Sequence, residues 1–491
     1  MRISYLLAFA CIGLTSLTLN ADELKPNIVV IVIDDLGYMD IQPNNPESFY
    51  ETPNLNKLAE TGMRFTQGYA ACPVCSPTRY SLMTGRHPVR AATTNYFGGH
   101  RIERFQPADF QEAMPLAEVT LAEAVQENGY QTCFIGKWHL GPDEAYYPEK
   151  QGFNLNIGGF RAGAPKSYFS PYNNPKLTNG PKGEYLSARL ASEASKFIAS
   201  PHDKPFLLYY CMYDVHVPLQ APQELITKYQ EKAEKLGIAN KQLTDDQLFG
   251  PESQYFVTTE NPRTVRLVQQ HATYAAMVEA MDTAVGTVMK SLDDAGLADN
   301  TLIVFTSDNG GLSTAEGQPT SNLPLRGGKG WGYEGGIRVP WIVRWPGKTK
   351  PGSTSHTPIV STDLYPTVLE VIGAQPKPEQ HIDGVSFVPS LTQSPAAKER
   401  SLFWHYPHYA NQGGFPCSVI RKGNWKLLVN LENGNRELYD LSQDLSEQKN
   451  LASQQPDVSN LLYQELGNWM SDADARLLKQ KEAQTEKPWQ P

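Results

Sequence analysis

At 491 residues the chain is long enough to bury one large core with a smaller unit beside it. Its 19% charged and 40% hydrophobic residues are those of an ordinary globular protein, and a formal net charge of −9 argues against any general affinity for nucleic acid. Such a chain can take an anionic ligand only through a locally positive site.

The N-terminus opens Met1-Arg2, runs apolar from Ile3 to Leu19 and leaves through Leu19-Asn20-Ala21. That is the layout of a secretory signal peptide over residues 1–21, with cleavage near Ala21 and a secreted or periplasmic product. The apolar run is short and contains Gly13, Thr15, Ser16 and Thr18, so no stable membrane insertion is expected. Asn27 to Ile33 is a continuous β-branched run, as in a strand buried on both faces, and it ends in Asp34-Asp35. Cys75 to Gly85 predicts a short helix, with Pro77 in its first turn and Gly85 at its C′ position. Thr120 to Asn128 reads as a helix closed by Gly129, followed by a strand from Gln131 to Ile135. Phe206 to Tyr213 is a further strand, Tyr274 to Leu292 a helix, and Thr301 to Thr306 a strand that stops at Ser307-Asp308-Asn309-Gly310-Gly311. Ile337 to Trp345 reads as a strand interrupted by Pro340, and Asp363 to Ile372 as a helix.

Strands alternating with helices predict an α/β fold with a large, mostly parallel sheet sandwiched by helices, over residues 22–375. After about Gly373 the composition changes. Short strands follow around Ser401–Tyr406, Cys417–Arg421, Trp425–Asn430 and Glu437–Tyr439, with a hairpin signal at Asn433-Gly434 and a last helix from Val458 to Met470. Residues 376–491 are therefore expected to form a smaller subdomain of antiparallel sheet plus helix. Of the six cysteines, Cys11 falls in the signal, and Cys133 and Cys211 read as buried free thiols. No pairing among Cys72, Cys133, Cys211 and Cys417 follows from sequence.

Two acidic pairs end apolar strands. Asp34, Asp35, Asp308 and Asn309 offer only hard oxygen ligands, which suits Ca²⁺ or Mg²⁺ over zinc. Taken singly, each pair can equally be a turn after a strand. Cys75 at a helix N-terminus lies where backbone N–H groups favour an anion, although a buried structural cysteine would look the same.

The run Cys75-Ser76-Pro77-Thr78-Arg79, followed by Thr84-Gly85, closely resembles the maturation signature of type I sulfatases, of the alkaline phosphatase superfamily. Gly129 to His139 matches a second signature of that family. The Asp34-Asp35 and Ser307-Asp308-Asn309-Gly310 strand ends, Val215-His216-Val217-Pro218 and Leu325-Arg326-Gly327-Gly328-Lys329-Gly330 follow in the same order. The resemblance covers about Pro26 to Leu391, with a weaker echo through Leu441. It implies an alkaline-phosphatase-like fold and a Cys75 oxidised to formylglycine by a separate formylglycine-generating or sulfatase-maturating enzyme. It also implies one Ca²⁺ held by Asp34, Asp35, Asp308, Asn309 and the oxygen of residue 75. Arg79, Lys137 and Lys329 would hold the sulfate, and this leaves the pocket positive on a negative protein. His139 and His216 would carry protons: one hydroxyl of the hydrated aldehyde attacks sulfur, His216 with Lys329 protonates the leaving alcohol, and His139 takes a proton as sulfate is expelled.

Substrate choice is less legible. A secretory signal and many aromatic residues suit a sulfated carbohydrate, and the segment from Phe403 to Gly414 resembles bacterial carbohydrate sulfatases directed at galactose or N-acetylgalactosamine. Trp404, His405 and His408 are therefore candidate substrate residues; the alternative is an aromatic strand end that packs two domains together. His100 and Arg101, in the run from Asn95 to Arg104, are a second candidate pair, with a solvated loop as the alternative. Two other functions fit parts of the pattern: a formylglycine-dependent phosphonate monoester or phosphodiester hydrolase, and a non-catalytic binder of sulfated glycans.

Overall fold

A computed structural model describes residues 25–239, 265–394, 399–482 and 484–490. The expected signal segment and Cys11 lie outside the described residues. The main sheet has eight strands. In space they run Leu155–Ile157, Gln131–Gly136, Phe206–Cys211, Asn27–Ile33, Thr301–Ser307, Trp341–Arg344, Met63–Phe65 and Ser353–Ser355. All run the same way except Trp341–Arg344, which is antiparallel to both neighbours.

Asn27–Ile33 is central, and its alternation shows why the run is apolar throughout. Val29, Ile31 and Ile33 enter one core with Leu55, Leu190, Tyr229 and Met281. Ile28, Val30 and Val32 enter the other with Tyr80, Leu121 and Leu364. Helices Pro53–Thr61, Leu186–Ala199, Gln223–Lys235 and Ala272–Asp294 cover the first face, and Cys75–Thr84, Leu121–Glu127 and Leu364–Val371 cover the second. The fold is thus the expected helix-sandwiched, largely parallel α/β sheet. The strand expected from Ile337 begins only at Trp341. Pro340 has no N–H to give a ladder, and Ile337 instead ends a one-turn helix, Glu334–Ile337.

A separate antiparallel sheet follows, in the order Ser401–Tyr406, Cys417–Lys422, Trp425–Asn430 and Arg436–Asp440. One face packs Ile420, Leu427, Val429 and Leu438 on Leu462, Leu466 and Met470 of helix Pro456–Asp472. The other packs Trp404, Cys417, Val419 and Leu428 on Tyr69, Trp331, Tyr333 and Ile337 of the larger sheet's connections.

A buried charge network spans the same interface. Lys426, 0% exposed, places Nζ 3.0 Å from Glu334 and 2.7 Å from Glu447. Arg338 reaches Glu334 at 3.3 Å, and the Glu334 backbone N–H donates to Glu447 at 2.7 Å. Burial, with Glu334 opposite, pushes Glu447 up to about 7 despite Lys426. Removing one member of such a network strands the others in a dry interior. Lys426→Met is expected to cost about 3–5 kcal/mol of stability, read as a lower denaturant midpoint. A loss below about 1 kcal/mol would mean that the network is energetically idle.

Candidate active site

Four adjacent strands deliver their carboxyl ends to one place. Gln131–Gly136 leads to Lys137 and His139, Phe206–Cys211 to His216, Asn27–Ile33 to Asp34 and Asp35, and Thr301–Ser307 to Asp308 and Asn309. Ligand sites in open α/β sheets collect at this edge. The ladders continue past the strand ends through Lys137 N–H to Cys211 C=O (2.8 Å), Val215 N–H to Asp34 C=O (2.7 Å) and Asp308 N–H to Ile33 C=O (3.1 Å), which fixes where each side chain starts. Gly136 is obligatory here: at φ +102, a Cβ would lie 1.8 Å from the Cys211 carbonyl oxygen.

Cys75 opens helix Cys75–Thr84, and Gly85 closes it at φ 70. The side chain is 3% exposed, with Sγ 3.5 Å from His139 Nδ1. Burial, only partly offset by Lys137 and Lys329, raises its thiol above the ordinary value. The unmodified thiol is therefore a poor nucleophile at neutral pH. Arg79, one turn along the same helix, donates to Asp308 from Nε (2.8 Å) and to the Lys137 carbonyl from Nη1 (3.1 Å).

Lys137 Nζ lies 2.6 Å from Asp34, and Lys329 Nζ lies 2.8 Å from Asp35. The two aspartates nonetheless titrate in opposite directions. Burial raises Asp34, and repulsion from Asp308 and Asp35 adds to it against Lys137. Asp35 is equally buried, but Lys329, His216 and Lys137 outweigh that and hold it below the usual carboxylate range. Asp34 Oδ1 and Asn309 Oδ1 are buried acceptors without a hydrogen-bond partner among the described residues. Ligand atoms of Asp34, Asp35 and His216 lie within 4.8 Å of one another, a possible metal site. Asp308 adjoins it, accepting from the Asp35 N–H at 3.2 Å, and Asn309 donates to Asp35 at 2.9 Å. Orphaned oxygens in a carboxylate cluster fit a hard divalent cation.

Both histidines are held neutral. Burial, then Lys137 and Arg79, push His139 well below its ordinary value, and burial with Lys329 pushes His216 down to about 3. His216 Nδ1 meets the Val217 carbonyl at 2.8 Å, which leaves Nε2 free and 3.8 Å from Asp35. His139 Nε2 meets the Phe97 carbonyl at 3.3 Å.

A cavity of about 260 Å³ opens onto Cys75, His139, His216 and Lys329. Arg79 and Lys137, expected on the sulfate, do not line it; their charges are committed to Asp308 and Asp34. The rest of the lining includes Tyr96, Phe97, Gly163, Glu316, Asn411 and Gln412. Asn411 Nδ2 donates to the Tyr96 hydroxyl at 2.6 Å, joining the two segments singled out from sequence.

Within those segments the expected residues are corrected. Trp404 is 2% exposed, edge-on to Tyr69, and its Nε1 donates to the Ala70 carbonyl at 2.7 Å. His405 is buried between Ser418 Oγ (2.6 Å) and the Arg476 carbonyl (2.7 Å). His408 Nε2 pairs with Thr94 Oγ1 at 2.8 Å. All three are interior residues of the domain contact, as the alternative reading had it. His100 is 67% exposed beside Glu112, and Arg101 pairs with Glu103; neither lines the cavity. Tyr96, Asn411 and Gln412 line the cavity from the same two segments, beside the more conspicuous aromatic and histidine residues. Glu316 and Gly163 sit in loops without a motif. The five cysteines among the described residues are free and buried.

This fold, with its carboxylate cluster at the parallel strand ends beside a cysteine that opens a helix, is that of the alkaline phosphatase superfamily. The family described as Sulfatase matches residues 26–374, and the chain belongs to it; the protein is a sulfuric ester hydrolase. A second family, N-sulphoglucosamine sulphohydrolase C-terminal, matches residues 328–472. A sulfatase of Formosa agariphila is 31% identical, covering 89% of this chain and 86% of the relative. The N-acetylgalactosamine-6-sulfatase of Mus musculus is 31% identical over 77% of this chain and 68% of its own. Among solved structures, Ps i-CgsB in complex with k-i-k-neocarrahexaose superposes with a TM-score of 0.73 at 28% identity, covering 91% of this chain and 93% of that one. No helix among the described residues is long and apolar enough to cross a membrane.

Proposed function

We propose that the protein removes O-sulfate from a carbohydrate of the galactose or N-acetylgalactosamine type, using a formylglycine made from Cys75. The observation that carries this reading is the cavity itself, with Cys75, His139, His216 and Lys329 in its lining together with Tyr96, Asn411 and Gln412. Its volume lies just under the ~300–1,000 Å³ usual for small-molecule sites, room for about one sugar ring and its sulfate. The relative named for N-acetylgalactosamine 6-sulfate and the structural neighbour seen with a neocarrahexaose support a sugar sulfate. Residues 22–375 supply the chemistry, residues 376–491 complete the pocket, and a signal over residues 1–21 sends the enzyme out to its polymer.

Hydrated formylglycine supplies a geminal diol, one hydroxyl to attack sulfur and a second to expel sulfate, which a serine or cysteine lacks. Asp34, Asp35, Asp308 and Asn309 would hold Ca²⁺ beside residue 75, where it neutralises charge on the sulfate oxygens. The start of the Cys75–Thr84 helix aims backbone N–H groups at the same place. Arg79 and Lys137 hold Asp308 and Asp34 in place through their ion pairs. Lys329 carries the positive charge that meets the ester. Neutral His139, already against residue 75, accepts the proton of the second hydroxyl. The incoming ester's negative charge raises His216 towards protonation, so it can give a proton to the leaving alcohol.

Sulfate release is the test, measured on sulfated galactans, glycosaminoglycans, fucoidan and ulvan oligosaccharides. The expected result is release from a galactose- or N-acetylgalactosamine-type substrate. Release confined to the other sugars would overturn the substrate assignment, and faster turnover of an aryl phosphonate than of any sulfate would overturn the reaction.

A further inference from the structure

Among the residues that line the cavity, Glu316 is the single carboxylate. It lies at an exposed position in the loop after the Thr301–Ser307 strand, while Cys75, His139 and Lys329 of the same lining are buried. An acidic side chain at the entrance of a site for anions works against affinity, because like charges in a partly desolvated cleft repel. Its position is built. Gln412, 3% exposed, donates from Nε2 to Glu316 Oε1 at 3.0 Å, and the Gln412 carbonyl accepts from Thr314 Oγ1 at 2.8 Å.

An ionised carboxylate can only accept, so Glu316 fixes which way the Gln412 amide faces. Gln412 Oε1 is then left as a buried acceptor with no hydrogen-bond partner among the described residues. Glu316 itself therefore presents a carboxylate acceptor to the cavity, which is satisfied by hydroxyl or N–H donors on the ligand. A second sulfate or a carboxylate brings only acceptors, and it brings them with the wrong charge.

We infer that Glu316, braced on Gln412, is a specificity-determining residue that selects an uncharged, hydroxyl-bearing leaving group and turns away one carrying a second anion beside the scissile sulfate. This deepens the proposed function and rests on it.

Two matched pairs test the inference: 4-nitrophenyl sulfate against 4-carboxyphenyl sulfate, and N-acetylgalactosamine 6-sulfate against its 4,6-disulfate. The readout is the ratio of kcat/KM, doubly charged over singly charged, for wild type, Glu316→Gln and Glu316→Lys, on every pair the wild type turns over. The ratio is expected to rise about tenfold in Glu316→Gln and further in Glu316→Lys, and the gain should shrink in high salt. A ratio that stays within about twofold in both variants, whatever the absolute rates, overturns the inference and leaves the substrate reading standing. Where the wild type turns over only the aryl pair, the aryl ratio decides the role of Glu316 and the oligosaccharide screen decides the sugar reading. A wild type that turns over neither pair is read by the same ratio on a singly and a doubly sulfated oligosaccharide of the kind it desulfates, and one that releases sulfate from none of these overturns both.

Discussion

Cys75→Ala is expected to abolish sulfate release, by at least about 10⁴-fold, in a protein that still folds. Losing a nucleophile removes a whole bond-forming route. By contrast, losing one sulfur from a buried position costs only a small cavity, on the order of 1 kcal/mol. Circular dichroism and the melting transition should be close to wild type. Residual turnover above about 1% would contradict the nucleophile. Cys75→Ser is the sharper variant. A single hydroxyl could attack once but could not eliminate the sulfate, so the variant should stall as a sulfated serine, visible by intact-protein mass spectrometry after brief exposure to substrate. Peptide mass spectrometry on the fully active wild type should find residue 75 with its thiol replaced by a carbonyl. An unmodified thiol there would sink the formylglycine proposal.

The second large effect concerns the carboxylate cluster. Asp34, Asp35 and Asp308 are buried within a few ångströms of one another, and Asp34 Oδ1 and Asn309 Oδ1 lack a hydrogen-bond partner among the described residues. Chelation is expected to lower activity by at least about 100-fold, and Ca²⁺ should restore it. Ca²⁺ at about 100 times its Kd should also raise the unfolding free energy by about 2.7 kcal/mol, a readout independent of turnover. Asp35→Ala removes the partner of Lys329 as well as a ligand. It should lose about 10³-fold or more in activity, together with the Ca²⁺-dependent shift in melting. A chelated wild type with unchanged activity and unchanged melting would remove the metal from the account.

The residues of this cluster were legible in sequence for a plain reason. Each sits directly after a β-branched run, so strand ends in a parallel sheet could be read off as Asp34-Asp35 and Asp308-Asn309. The two lysines and two histidines stand out in sequence chiefly through the family resemblance, with Gly136 and Gly328 beside the lysines as the local cue. The pocket mouth was read by segment and missed by residue. In Ser401–Tyr406 the usual inside–outside alternation fails, because the sheet is covered on one face by Pro456–Asp472 and on the other by the larger domain. Trp404 and His405, on opposite faces, are therefore both buried. Asn411 and Gln412 come after the strand, where no period applies. Helix Leu186–Ala199 carries a signal readable in sequence: Leu186, Leu190, Ala191, Ala194, Phe197 and Ile198 repeat at helical spacing and are all buried.

Tyr406 and Cys417 face each other as the last pair of their hairpin, so the ten residues from Pro407 to Pro416 leave and re-enter the sheet at one point. That segment carries Asn411 and Gln412 and none of the groups assigned to the reaction. Its two limbs are buried through His408, Tyr409 and Phe415, so only the tip around Asn411 is exchangeable. Grafting a different tip between those limbs should retune which sulfated molecule is accepted while leaving the bond-breaking apparatus in place. A further constraint travels with any graft. The backbone at Gly414 presses so closely on Gly330, the residue after Lys329, that a Cβ would lie 1.7 Å from its carbonyl oxygen. A donor loop must therefore keep a glycine at that position, or it will displace Lys329.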